Sequence, residues 1–514
     1  MNAQSGTTNA ECRDDILNVL ILIFMAAALG VYLIATTVLV SKDGVTYITV
    51  AGRFSSEPLN VVKGLIPGYP RGLAFGYPFL ILAAHKVAAW FGADSSAAGW
   101  AYSAQSVTLL CRVLALIPLY FTGKLLAGAG RSFWAVAILV VLPYPAQFGS
   151  DALRDWPHIL FLATGLLLLL WGARERKWWM FAGTGMAAGL GQLIRPECVQ
   201  LVAYGILWVL VRLAAPKPGM NRGMLVRALA ALLLGFAIPA APYMAVRGQI
   251  LPQKVKEYIS GSVLWQSGDN PRTAAYSSSL PMESALGSKT AEGIARLTGE
   301  ISDNLMYYFV PALVVGVYAG FRRRSETTDV ERFFVPAFVC VNVLMMIMLY
   351  LHWGYISRRH CLPLVVMLVL YVPAGLEIIA HWLEQGFSKN RAQSNPHPRQ
   401  WFFILLAIGV AICTPKLLSR PGYDKQGYRD AAEWLRQNTR PKDVIAVPDL
   451  RISFYAERKG NAYETEVPEG TDYVVRIEEQ GAQNPPDELG RSLFEVRVEK
   501  RERNKKRVAI YRAA

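Results

Sequence analysis

Charge is scarce in this sequence. Only 18% of its 514 residues are charged, against about 25% in an average soluble protein. Cysteine is scarce too. The six present (Cys12, Cys111, Cys198, Cys340, Cys361 and Cys413) are scattered, with no C-x-x-C pair. That spacing argues against a zinc site or a disulfide framework and for packing in apolar surroundings. Beyond Pro415 long apolar runs are missing as well, and this tail has neither a glycine-rich phosphate loop nor a catalytic constellation.

What is abundant is hydrophobic surface, at 53% of residues. Apolar blocks recur from Ile16 to Thr414, many of them near the 20 or so residues that a helix needs to cross about 30 Å of hydrocarbon. The expected fold is an α-helical polytopic membrane protein with a small C-terminal α/β soluble domain. Eleven spans are expected: 16–40, 101–122, 132–148, 157–173, 178–194, 197–213, 224–244, 305–321, 333–351, 361–381 and 401–415. The first block is too long for a signal-peptide core, and its flank Asp43-Gly44-Val45 is no small-residue cleavage site, so it reads as a retained span. The net charge of +15 sits mainly in inter-helix loops, which points to a membrane rather than to nucleic acid.

One set of short loops holds Lys124 and Arg131, then Arg174, Arg176 and Lys177, then Arg212 to Arg227, then Arg322 to Arg332, then Lys389 to Arg399. The opposite short loops hold only Arg154, Arg358 and Arg359. Cations in short loops mark the cytoplasmic side, which places the N-terminus inside and, after eleven crossings, the C-terminal domain outside. The domains divide at 1–415 and 416–514. Three outer segments are long: 41–100, 245–304 and 416–514. The first contains Gly72–Phe91, apolar but interrupted by Pro78, His85 and Lys86, an interfacial or half-buried helix rather than a span. The second is polar and reads as an outer loop or lid. In the tail, Tyr428–Asn438 is an amphipathic helix. Asp443–Val447 and Thr471–Ile477 read as strands, and Leu493–Val498 with Arg507–Tyr511 as a hairpin pair.

Ionisable residues at span ends are functional candidates by default, and four clusters stand out. Asp43 follows the first span, as a general base or cation holder at the membrane surface, or simply as a helix cap. Asp151, Arg154, Asp155 and His158 crowd one short outer loop. Asp155 stands where an N-cap would, ahead of Pro157, yet capping does not explain the other three. Arg195 lies between two apolar runs, paired with Glu197 or offering its fork to a phosphate. Arg358, Arg359 and His360 run against the positive-inside trend, where an anionic headgroup is a natural partner; Trp353 and Tyr355 beside them suit interfacial anchors. Two acids and several arginines on one membrane face fit chemistry on a lipid-linked phosphate. The arginines would hold the phosphate, and an acid would deprotonate an acceptor hydroxyl.

These segments, in their order, resemble the GT-C superfamily of polyprenyl-phosphate-sugar-dependent glycosyltransferases, in particular bacterial protein O-mannosyltransferase and aminoarabinose transferase relatives. The resemblance rests on Asp43 with Tyr47, Asp155-Trp156-Pro157, Leu193-Ile194-Arg195-Pro196-Glu197, Arg359-His360-Cys361-Leu362-Pro363, and the tail run Tyr428 to Leu435 followed by Asp443–Val447 and Phe454-Tyr455-Ala456. It implies Asp43 as catalytic base and Asp155 as second-loop acid, with Tyr47, His158, Arg195, Arg358, Arg359 and His360 binding substrate. The chain departs from the family at Tyr69-Pro70-Arg71 and Tyr77-Pro78, where relatives carry His-Pro, and at Arg359-His360, where they carry Arg-Tyr. The implied activity is sugar transfer, with inversion, from a polyprenyl-phosphate donor to a glycan, lipid or protein acceptor on the outer face of a bacterial cytoplasmic membrane. The lipid-linked sugar is co-substrate, and a divalent cation stays open as cofactor with no ligand set named. The rival is a transporter or flippase of a lipid-linked or anionic solute, which requires acids in the middle of spans.

Overall fold

The fold is taken from a computed structural model of the chain, which describes residues 2–66, 73–92, 94–215, 221–248, 282–322, 329–388, 398–463, 466–479, 492–498 and 506–513. The Tyr69-Pro70-Arg71 departure and most of the expected outer loop at 245–304 lie outside these residues.

The first half is helical: α1 (Asn2–Thr36), α2 (Lys42–Arg53), α3 (Pro58–Lys63), α4 (Gly76–Trp90), α5 (Ala97–Ala127), α6 (Ala129–Val141), α7 (Pro143–Phe148), α8 (Asp155–Arg174), α9 (Trp178–Gln192), α10 (Gln200–Ala214) and α11 (Arg222–Arg247). Then come α12 (Met282–Asn304), α13 (Val310–Arg322), α14 (Asp329–Trp353), α15 (Leu362–Leu368), α16 (Val372–Ser388) and α17 (Pro398–Leu417). Among the described residues eight helical stretches are long and apolar enough to cross a membrane, with α15 and α16 counted as one. Three of the eleven expected spans are shorter. The 132–148 run breaks at Leu142, because Pro143 and Pro145 start a new short helix, α7. The 305–321 run begins with a turn and becomes the 13-residue α13. The 178–194 run is the 15-residue α9, packed backbone to backbone on α11. A Cβ on Gly185 would lie 2.1 Å from the Leu232 carbonyl oxygen, and one on Gly235 2.2 Å from that of Ala182.

Helix α4 has 15 residues, about 22 Å at 1.5 Å per residue, too short to cross. The polar stretch read as an outer loop ends instead in α12, an amphipathic helix of 23 residues. Leu297 turns inward there against Ile356, Cys361 and Leu364.

The tail holds α18 (Gln426–Asn438), β1 (Val444–Val447), α19 (Leu450–Ala456), β2 (Lys459–Ala462), β3 (Tyr473–Glu479), β4 (Phe494–Val498) and β5 (Lys506–Arg512). The sheet order is β2-β1-β3-β5-β4. β1 runs parallel to β2 and β3, while β3, β5 and β4 are antiparallel. The expected helix and strands are all present, and β2 and α19 are additional. One apolar core joins this sheet region to helices α2 and α4, taking Val45, Ile48 and Tyr77 together with Ala431, Leu435, Ile445 and Ile452. Hydrogen bonds reinforce it. The Val40 amide donates to the Tyr455 hydroxyl at 3.2 Å, and the Ala97 amide to Glu457 Oε1 at 2.9 Å.

Candidate active site

Helix α2 begins at a proper cap, and the cap is Ser41, whose Oγ accepts from the Gly44 amide at 3.1 Å. Asp43 is therefore not the capping residue. It sits in the first turn, where a negative charge is favoured by the helix dipole, with its side chain 49% exposed. The turn lies tight against the loop that precedes α8. A Cβ on Gly44 would fall 2.8 Å from Ala152 Cβ, so only glycine fits. Asp151 fastens the two loops: its Oδ1 accepts from the amides of Ser41 at 2.9 Å and Ala152 at 2.7 Å. Burial nonetheless pushes the Asp151 carboxyl pKa upward, against those bonds.

Asp155 is the first residue of α8 rather than its cap, which is Arg154 without a side-chain capping bond. Its carboxylate is 1% exposed and faces two guanidinium groups, with Oδ1 at 3.0 Å from Arg195 Nη1 and Oδ2 at 3.6 Å from Arg359 Nε. Arg359 then reaches on to Asp43, Nη2 to Oδ2, at 2.7 Å. Four residues from four segments thus form one alternating row: Asp43, Arg359, Asp155, Arg195. The close partner of Arg195 is Asp155, while Glu197, the other partner considered, adds only its field. Burial works against the charge on Arg359, and Asp155 and Asp43 more than offset it, so its pKa is raised.

The remaining candidates surround this row. Tyr47 lies one turn along α2 from Asp43, buried beneath the Arg154 guanidinium at 5.7 Å. It meets Tyr77 edge to face at 5.3 Å, and burial raises its pKa. His158 is one turn into α8, 2% exposed, with neither ring nitrogen hydrogen-bonded. His360 Nδ1 lies 3.1 Å from Ser357 Oγ. Burial first, and then the Arg195 charge, bring its pKa down to about 4. That ring is neutral at pH 7.

Arg358 does not join the row. It turns to Tyr144, donating to the hydroxyl with its guanidinium 4.2 Å from the ring centre, and lies 3.8 Å from Glu300 and 3.9 Å from Asp303. Two consecutive arginines that read as a pair therefore serve different neighbourhoods. Tyr144, which also takes a bond from Lys416, carried no sequence signal as an aromatic in a proline-rich break.

The chemistry follows from the donors left over. The Nε groups of Arg154, Arg195 and Arg359 are buried and without hydrogen-bond partners. Buried polar groups are normally satisfied, and a planar guanidinium suits phosphate oxygens. Among the described residues no three His, Cys, Asp or Glu side chains converge as a metal set, and the space between the two aspartates is occupied by a guanidinium.

Residues 97–243, which carry Asp155 and Arg195 but neither Asp43 nor Arg359, match the family model described as dolichyl-phosphate-mannose-protein mannosyltransferase. No curated protein matches the chain by sequence. In structure the chain is similar to ArnT from Cupriavidus metallidurans bound to undecaprenyl phosphate, with a TM-score of 0.56 and 12% identity over 96% of this chain and 97% of that one. It is also similar to the archaeal oligosaccharyltransferase AglB from Archaeoglobus fulgidus in complex with an inhibitory peptide and a dolichol-phosphate, with a TM-score of 0.51 and 13% identity over 89% and 69% of the two chains. At such identities the likeness is one of fold. The chain shares its overall fold with these two structures.

Proposed function

We propose that this chain is a membrane glycosyltransferase, moving a sugar from a polyprenyl-phosphate donor to an acceptor hydroxyl at the membrane surface. The observation that carries the reading is the row Asp43–Arg359–Asp155–Arg195, in which neither arginine's Nε makes a hydrogen bond. Arg195 and Arg359 hold the lipid phosphate. The donors that now lean on the aspartates turn to it, and Asp43 is released. As the acceptor oxygen attacks the anomeric carbon, Asp43 takes its proton. The bond from that carbon to the phosphate oxygen breaks, and the electron pair leaves with the lipid phosphate, whose new charge the guanidinium groups already face. Attack opposite the leaving group inverts the anomeric carbon. Tyr47, His158 and His360 line the substrate, and Asp155 keeps the two arginines charged and in place.

The site lies in the cytoplasmic membrane of a bacterium, with the N-terminus inside, residues 1–415 forming the catalytic body and 416–514 an outer domain. The acceptor is a glycan, a lipid or a protein. The transporter alternative wants acids within spans, whereas Asp43 stands outside the membrane helices and Asp155 opens one. The test is transfer from a labelled polyprenyl-phosphate sugar in purified membranes. Asp43→Asn is expected to lower turnover by about 10²–10⁴-fold, the usual worth of a general base. Wild-type turnover in that variant would end the base assignment. Translocation of the donor without covalent change would end the transferase reading.

A further inference from the structure

Far from the aspartate row, the helices form an open-sided cavity of about 990 Å³ that the proposed reaction does not use. Helix α8 gives the separation. Asp155 opens it, and Arg174 in its last turn bonds to the Leu125 carbonyl oxygen, next to Leu126 and Ala127 of the cavity wall. The helix has 20 residues, which puts its two ends about 28 Å apart at 1.5 Å per residue. A second hollow of about 650 Å³ adjoins the first, with Ala319 and Ile378 lining both.

The walls are braced, so the space is not a gap that side chains could close. Helices α13 and α16 touch through glycines: a Cβ on Gly375 would lie 1.7 Å from the Ala312 carbonyl oxygen. Arg131 ties the start of α6 to α16 by two bonds to Glu377 Oε2, at 2.9 and 2.7 Å. Trp134 packs edge-on against Phe403 at 5.5 Å. In the second hollow Tyr318 and Trp382 are 65% and 56% exposed, as suits a wall that faces acyl chains.

Among the described residues the charge on this rim has one sign to spare: Arg131, Arg322 and Arg399 line the hollows against one acid, Glu377, and Glu377 is engaged by Arg131. Among the described residues Arg322 and Arg399 have no ion pair or hydrogen bond. An occupant must therefore offer an anionic head to the two arginines and an apolar tail to the aromatic wall. Basic pockets between membrane helices take acidic lipid headgroups on these grounds.

We propose that the paired cavities are a binding site for an anionic phospholipid, distinct from the site of sugar transfer. The full-length protein, reconstituted in nanodiscs of phosphatidylcholine with phosphatidylglycerol, would be examined by native mass spectrometry for the lipid that it retains. Wild type is expected to keep phosphatidylglycerol over phosphatidylcholine. Arg322→Ala and Arg399→Ala, both at exposed positions, are expected to weaken retention roughly fivefold each. Ala319→Trp, which puts a large ring on the wall that both hollows share, is expected to abolish it without lowering the melting temperature. Equal retention of the two lipids by wild type, or unchanged retention in the double arginine variant, would overturn the proposal. So would displacement of phosphatidylglycerol by undecaprenyl phosphate, which would make this a second donor site.

Discussion

Asp43 and Asp155 both face Arg359, but they sit in different dielectric surroundings. Asp43 is half exposed, so its ion pair contributes about 0–1 kcal/mol to stability. Asp155 is 1% exposed and balances two guanidinium groups; removing one partner of a buried pair costs about 3–5 kcal/mol. Asp155→Asn is therefore expected to lower the melting temperature in detergent markedly, and Asp43→Asn hardly at all. Equal shifts would mean that Asp155 is not holding the arginines. His360 gives a pH signature. Its pKa falls to about 4 in the fold, from about 6.5 in an unfolded chain. Above pH 6.5 both states are neutral and its contribution is complete. As the pH drops from 6.5 to 4 the unfolded chain binds a proton that the native site refuses, and stability declines. His360→Gln should flatten the stability profile in that window, measured by thermal unfolding against pH. All four residues of the row could be singled out in the sequence, because ionisable groups at the ends of apolar runs are expensive. Their distances could not. Nor could the divergence of Arg358 from Arg359, since neighbours in a loop look alike until the backbone sets their directions.

At the level of elements, the position of Asp43 depends on how α2 starts. Ser41 caps the helix, Asp151 holds the Ser41 amide, and Gly44 lets the first turn press against Ala152. Ser41→Ala should cost about 1 kcal/mol, the ordinary loss of a cap. Gly44→Ala should do more to catalysis than to folding, because its Cβ pushes the whole turn, and Asp43 with it, off the neighbouring loop. Turnover of the labelled donor is the readout; wild-type kcat in Gly44→Ala would show that the close approach is dispensable. Long apolar runs announced most membrane helices correctly, since hydrophobic length is the property that the bilayer selects. The shorter ones escaped for physical reasons. Proline divides 132–148, and α9 substitutes glycine contact with α11 for length. Helix α12 is hidden in the sequence because its charge masks a narrow apolar stripe, in which Ile294, Leu297 and Ile301 recur at helical spacing.

On the scale of the whole molecule, the sheet region is joined to the body by one continuous core, and the joint runs beneath α2. Tyr455 is central to it. Its hydroxyl accepts the Val40 amide just ahead of α2, and its ring carries the Arg429 guanidinium at 4.2 Å. The sequence marked the tail as an α/β unit through its strand pattern, but it could not reveal this shared core, because apolar residues of α2 and α18 look equally suited to separate interiors. If the joint sets the pose of α2, loosening it should reach the aspartate row from a distance. Tyr455→Ala removes both the hydroxyl and the ring, and is expected to speed hydrogen exchange at the amides of 42–48 while leaving the far end of α5, near Ala127, as protected as in wild type. Turnover should fall with it, since Asp43 rides on the same turn. Tyr455→Phe, which loses only the hydrogen bond, should forfeit about 1 kcal/mol and show a smaller change of the same kind. Unaltered exchange across 42–48 in Tyr455→Ala would mean that α2 is held by the membrane body alone, through Asp151 and Gly44, and that the sheet region covers the site without positioning it.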